Sequence, residues 1–95
     1  MEIVLKTTGD KIDELTRRLF GDDVVSRGSI LVRDGRLVGT TGYYCRIIGR
    51  EDQCLRALEL AGDLAEKVEG EELQTVLGKL RQEEEQALSG FSSLF

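Results

Sequence analysis

The chain has 95 residues, enough for one domain with a small core, and no more. Apolar residues at 40% and charged residues at 33% exclude a disordered chain, while a net charge of −5 disfavours a polyanionic partner. With no His, the usual near-neutral proton shuttle and the commonest metal ligand are missing.

In chain order, Glu2 to Thr7 (EIVLKT) reads as a first strand. Its unbroken Ile3-Val4-Leu5 run predicts burial on both faces, hence a central position. Asp10 is placed to cap a helix on which Ile12, Leu15, Leu19 and Phe20 fall at helical spacing. Asp13 and Glu14 open this helix and Arg17 and Arg18 close it, in accord with the helix dipole. Gly21-Asp22-Asp23 ends it. Val24-Val25 is either a short strand or a buried loop anchor.

The segment Ser29 to Thr41 carries Asp34-Gly35 between two apolar runs, the signature of a type I′ hairpin. A two-residue turn there pairs Arg33 with Arg36, Val32 with Leu37 and Leu31 with Val38. A further strand follows, from Tyr43 to Gly49. Asp52 then caps a helix with an apolar stripe of Leu55, Leu58, Ala61, Leu64, Ala65 and Val68, which Gly70 ends at its C′ position. A second helix carries Leu73, Val76, Leu77, Leu80 and Leu88, and Gly90 stops it.

The resulting order is β-α-β-β-β-α-α: a single α+β domain over 1–95, its helices packed on one face of an antiparallel sheet. It divides into a sheet-rich half (1–50), a two-helix half (51–89) and an apolar tail (90–95). The beginning resembles a split βαβ unit that lacks its last strand, which the tail could supply within the chain or from a partner.

Charge is unevenly spread. Residues 1–50 hold nine Lys/Arg against seven acids, whereas residues 51–95 hold four against eleven. If Tyr43, Cys45 and Ile47 face inward, alternation turns Tyr44, Arg46, Ile48 and Arg50 the other way. Arg33 and Arg36 share a face of the expected hairpin. A surface of Arg33, Arg36, Tyr44, Arg46, Ile48 and Arg50 reads as a solvated sheet face, a protein interface or a site for a small anion.

Other motifs carry less. Gly39-Thr40-Thr41-Gly42 could offer backbone N–H groups to a phosphate, but it lacks the Lys-Ser/Thr of a P-loop and reads better as a turn. Gly49-Arg50-Glu51-Asp52 reads as ordinary helix capping. Cys45 and Cys54 are expected as small buried hydrophobes, since no His is present to activate either thiol or complete a zinc site. Glu83-Glu84-Glu85 reads as a solvated helix surface. Phe91, Leu94 and Phe95 in the tail either fold back on the core or dock on another chain.

No motif here is specific enough to assign a family, a catalytic residue, a metal or a cofactor. The expected function is that of a small non-enzymatic interaction module, a homodimer or a binder of another protein. The acidic helical half would face the Arg-bearing sheet of a second copy. The alternative is a regulatory domain that takes a small anionic ligand on the Arg face. Neither nucleic acid nor a membrane is expected as a partner. The N-terminus lacks the h-region of a signal peptide and two cysteines make no disulfide framework, so a cytoplasmic location is expected.

Overall fold

The computed structural model describes residues 1–92, with side chains for 1–36 and 38–83. Four strands, β1 (Glu2–Thr7), β2 (Ser29–Asp34), β3 (Tyr43–Ile48) and β4 (Glu66–Lys67), form one antiparallel sheet in the order β2-β3-β1-β4. Three helices, α1 (Ile12–Phe20), α2 (Glu51–Ala61) and α3 (Gly70–Ser92), complete an α+β domain. The order β1-α1-β2-β3-α2-β4 is that of a complete double split βαβ unit, with α3 added after it.

The expected element order is corrected at two places. Asp34-Gly35 makes no two-residue hairpin. The Asp34 carboxylate accepts the Arg36 N–H at 2.9 Å and the Arg36 guanidinium at 3.0 Å, and so caps a 3-10 turn over Gly35–Val38. That local capping of the backbone outcompetes the tight turn. Pairing resumes only beyond Gly42, with Asp34 opposite Tyr43 and Ser29 opposite Ile48, so residues 37–41 form no strand.

The second correction lies after α2. Arg50 occupies the N-cap position in place of Asp52, and its N–H donates to Gln53 Oε1 at 2.8 Å. The helix stops at Ala61 because Gly62 turns the chain with φ +48. Residues 66 and 67 then pair with β1. Thus β4, and not the tail, completes the split unit, and Gly70 stands at the start of α3 instead of closing the preceding helix. Gly90 does not end α3, which continues through Phe91 to Ser92. Leu94 and Phe95 lie outside the described residues.

The helices also occupy both faces of the sheet, not one. Ile3 and Leu5 of β1 and Cys45 and Ile47 of β3 are buried against Ile12, Leu15 and Leu19 of α1 and Cys54, Ala57 and Ala61 of α2. On the opposite face, Val4 and Tyr44 are buried with Val68 and with Val76, Leu77 and Leu80 of α3. Ile3-Val4-Leu5 is therefore covered on both sides, as its composition predicts for a central strand. Phe20 leaves the α1 stripe and is exposed. No helix among the described residues is long and apolar enough to cross a membrane.

Two polar groups fasten the connections. Gln53, buried at 5% exposure, caps α2 through its oxygen and donates from Nε2 to the Val24 carbonyl at 3.3 Å. Asp22 accepts the N–H groups of Val24 and Val25, both at 3.0 Å, and Arg56 of α2 at 3.1 Å. These bonds seat a 3-10 turn over Val25–Arg27 with Val25 in the core, so the pair Val24-Val25 is a loop anchor.

The hydrogen bond from the Val25 N–H, with further contributions from Arg56 and Val24, holds the Asp22 carboxyl below its ordinary value of 3.8. A depressed carboxylate stabilises the fold fully above the unfolded value and loses that effect as pH falls through the folded one. Asp22→Asn is therefore expected to lower the urea midpoint at neutral pH. The difference from the parent should close once the pH drops well below 3.8, and a gap that stays constant across the titration would contradict this.

Candidate functional site

The six surface residues singled out in the sequence separate into three places. Arg33, Tyr44, Arg46 and Ile48 do share one face of the sheet, as alternation requires. That face is the one under α3. Arg46 is 7% exposed, and its Nε donates to Glu2 Oε2 at 2.5 Å. Arg33 approaches Glu83 of α3 at 3.9 Å. Arg36 sits on the 3-10 turn, paired with Asp34, and Arg50 precedes α2, paired with Asp52 at 3.2 Å. Of these four, Ile48, at the end of β3, is exposed.

Charged residues of α3 pair with the sheet of their own chain. Glu72 of α3 takes Lys6 at 3.3 Å, Arg81 reaches Glu2 at 3.1 Å, and Glu83 faces Arg33. Pairs this exposed contribute little stability each, but they orient α3 over the sheet. The tyrosine joins the same network: Tyr44 Oη lies 3.3 Å from Glu72 Oε1 and 3.4 Å from Thr40 Oγ1.

Cys45 and Cys54 are buried and free. Desolvation pushes the Cys45 thiol up to about 11, and burial also raises that of Cys54. Both lie in the core, in line with their expected part as small buried hydrophobes.

A concavity lies elsewhere, at the end of the sheet where β1 runs out. It is a cleft of about 280 Å³. Its floor is Lys6, Thr7, Thr8 and Lys11, from the end of β1 and the turn into α1. Because β1 lies between β3 and β4, the floor is flanked on the β3 side by Thr40 and Thr41. On the β4 side it is flanked by Asp63, Leu64, Ala65 and Glu66.

Backbone contacts fix both walls. Gly35 donates to Gly42 O at 2.8 Å and accepts from Thr40 N–H at 3.1 Å, which closes the loop that presents Thr40 and Thr41. The Thr7 hydroxyl donates to Leu64 O at 2.6 Å and ties the opposite wall to β1. Gly39-Thr40-Thr41-Gly42 is thus a turn, as its sequence suggests, yet it also lines the cleft. Lys6, Thr8, Lys11, Asp63 and Glu66 carry no local motif. Some 55 residues separate the two groups of charges, and only the docking of β4 beside β1 brings them together.

A second open feature is the edge of the sheet. The Gly35–Gly42 bond continues the β2–β3 ladder, so alternation makes Arg33–Tyr44, Leu31–Arg46 and Ser29–Ile48 its hydrogen-bonded pairs. The N–H and C=O groups of Ile30, Val32 and Asp34 consequently point away from β3. Of these, the Val32 carbonyl takes one bond from Arg33 Nη1 at 2.9 Å, which leaves its second lone pair. Comparison of the chain with family models, curated proteins and solved structures found no match.

Proposed function

We propose that this protein is a non-enzymatic assembly module whose partner is a second copy of the same chain, added to the sheet at β2. The observation that carries this reading is the six-residue outer strand, whose outward N–H and C=O groups have no backbone partner among the described residues; the opposite edge, β4, is two residues long. A long uncovered edge invites pairing with another strand.

Side-chain chemistry selects the register. A two-fold axis perpendicular to an antiparallel sheet must pass through one residue, so that opposed side chains keep the same face. Centred on Leu31, the pairing sets Leu31 beside its own copy and Ile30 against Val32 in both directions. Arg33 then lies opposite Ser29. Centred on Val32, it would set Ile30 against Asp34 and Leu31 against Arg33, placing charge against apolar groups. The Leu31 register aligns the outward N–H and C=O groups of Ile30 and Val32 for four backbone bonds; the Val32 register would align more, so the side chains and not the bond count select between them.

This assembly differs from the charge-driven one suggested by the uneven halves, because Glu72 and Glu83 of α3 already meet Lys6 and Arg33 of their own sheet. Sedimentation of the parent chain is therefore expected to show a dimer at low and high salt alike. Leu31→Glu places a carboxylate opposite Arg46 within the chain but directly against its copy across the axis. It is expected to weaken the dimer at least roughly tenfold with an unchanged circular dichroism spectrum. Leu55→Glu, on an exposed position of α2, should remain dimeric. A parent that stays monomeric at every concentration, or a Leu31→Glu variant that dimerises as the parent does, overturns the reading.

A further inference from the structure

The cleft at the end of β1 contains more polar groups than its own contacts use. Lys6 is engaged with Glu72, Thr8 with Asp10, and Thr40 with Gly35 O and Tyr44. Among the described residues, no hydrogen bond or ion pair engages the Lys11 ammonium, the Thr41 hydroxyl or the carboxylates of Asp63 and Glu66. The remaining set holds both signs of charge: a cation and a hydroxyl donor on the floor and the β3 wall, and two carboxylates on the β4 wall.

We infer that this cleft binds a small zwitterion of the free α-amino-acid type. The ligand carboxylate would lie toward Lys11 and Thr41, and its ammonium toward Asp63 and Glu66. Charge complementarity decides among ligand classes. A simple anion gains Lys11, with Lys6 nearby, but also meets the carboxylates of Asp63 and Glu66. A simple amine meets the reverse, with Lys6 and Lys11 both nearby. A molecule with both charges a few ångströms apart satisfies both sides at once, through charge-assisted hydrogen bonds. The volume of about 280 Å³ suits a molecule of this size, and Leu64 and Ala65 supply apolar wall for a side chain.

The cleft lies at the end of β1 and the β2 edge lies two strands away, so the inference does not depend on dimerisation. It is tested by calorimetric titration and thermal shift with the twenty free L-amino acids singly, alongside inorganic phosphate and n-butylammonium as probes of one charge. At least one free amino acid is expected to bind and raise the melting temperature, while its N-acetyl and amide derivatives lose the effect. Lys11→Ala and Asp63→Asn, both at exposed positions outside the core, should each weaken binding about tenfold without altering the fold. Three results overturn the inference: no free amino acid binding at millimolar concentration; binding that both variants leave intact; or phosphate binding as tightly as any amino acid.

Discussion

Gly42→Ala is expected to destabilise the protein by about 2–5 kcal/mol, combining the strain of a left-handed non-glycine residue with overpacking. Gly42 has φ +89, and a Cβ placed on it would lie 2.5 Å from the carbonyl oxygen of Thr7. That neighbour is backbone of the central strand at the floor of the cleft, so it cannot rotate aside as a side chain would. Relief requires the Thr40–Thr41 wall to move away from β1, which would also loosen the Gly35–Gly42 bond that closes the loop. Chemical denaturation measures the loss. Gly39→Ala is the control: Gly39 also has positive φ, +76, but nothing lies within 4 Å of its Cβ position, so strain acts there without collision. Equal losses at the two glycines would show that the contact with Thr7 is not what constrains this loop.

Val76→Asp is the second large effect. Val76 is 1% exposed, packed with Val4, Tyr44, Val68 and Leu80 where α3 covers the sheet. A carboxylate there gains no partner from this apolar cluster, and the expected cost is about 3 kcal/mol or more. The split βαβ unit has its own core on the other face, built from α1 and α2. Release of α3 from the sheet, with increased binding of a hydrophobic dye and amide exchange concentrated in β1, β3 and α3, is therefore the expected signature. Exchange that rises equally in α1 and α2 would mean that the two cores unfold as one unit.

These two positions differ in how far the sequence alone exposes them. Val76 falls on an apolar stripe with Leu73, Leu77 and Leu80, so its burial is readable from helical spacing. Gly42 reads only as a turn glycine; its intolerance of a side chain comes from Thr7, 35 residues away, and no local pattern contains that contact. The same distinction runs through the rest of the fold. Ile3-Val4-Leu5 predicts a strand covered on both sides, because a strand with one wet face would alternate. Glu66-Lys67, two exposed polar residues, has no strand pattern at all. It becomes β4 because Gly62 breaks α2 and the Val68 N–H reaches Val4 O at 2.9 Å. Asp34-Gly35 misleads for a different reason: its carboxylate has two uses, and capping the next turn prevails over the tight hairpin.

The candidate site follows the same logic. Alternation along β3 places Tyr44, Arg46 and Ile48 on one face, and the strand register adds Arg33 to it, but alternation cannot say what covers that face. The acidic bias of the last helix shows in composition, whereas its partner, the sheet of its own chain or that of another, is a question of chain path. The cleft was not legible, because Lys11 and Asp63 belong to segments that neither periodicity nor motif connects.

Local chemistry by itself determined the α+β class, the central first strand, the apolar stripes of α1 and of α3 through Leu80 and the burial of both cysteines, since each follows from near neighbours and the period of the chain. The stripe expected on α2 fails, because Leu55 is exposed and Gln53, Cys54, Ala57 and Ala61 are buried instead. Tertiary structure alone decided that α3 lies over the arginines, that β4 closes the split unit and leaves β2 as the long edge, and that charges of both signs line one cleft. Those outcomes depend on contacts between residues far apart in sequence, whose free energy exists only once the chain has returned upon itself.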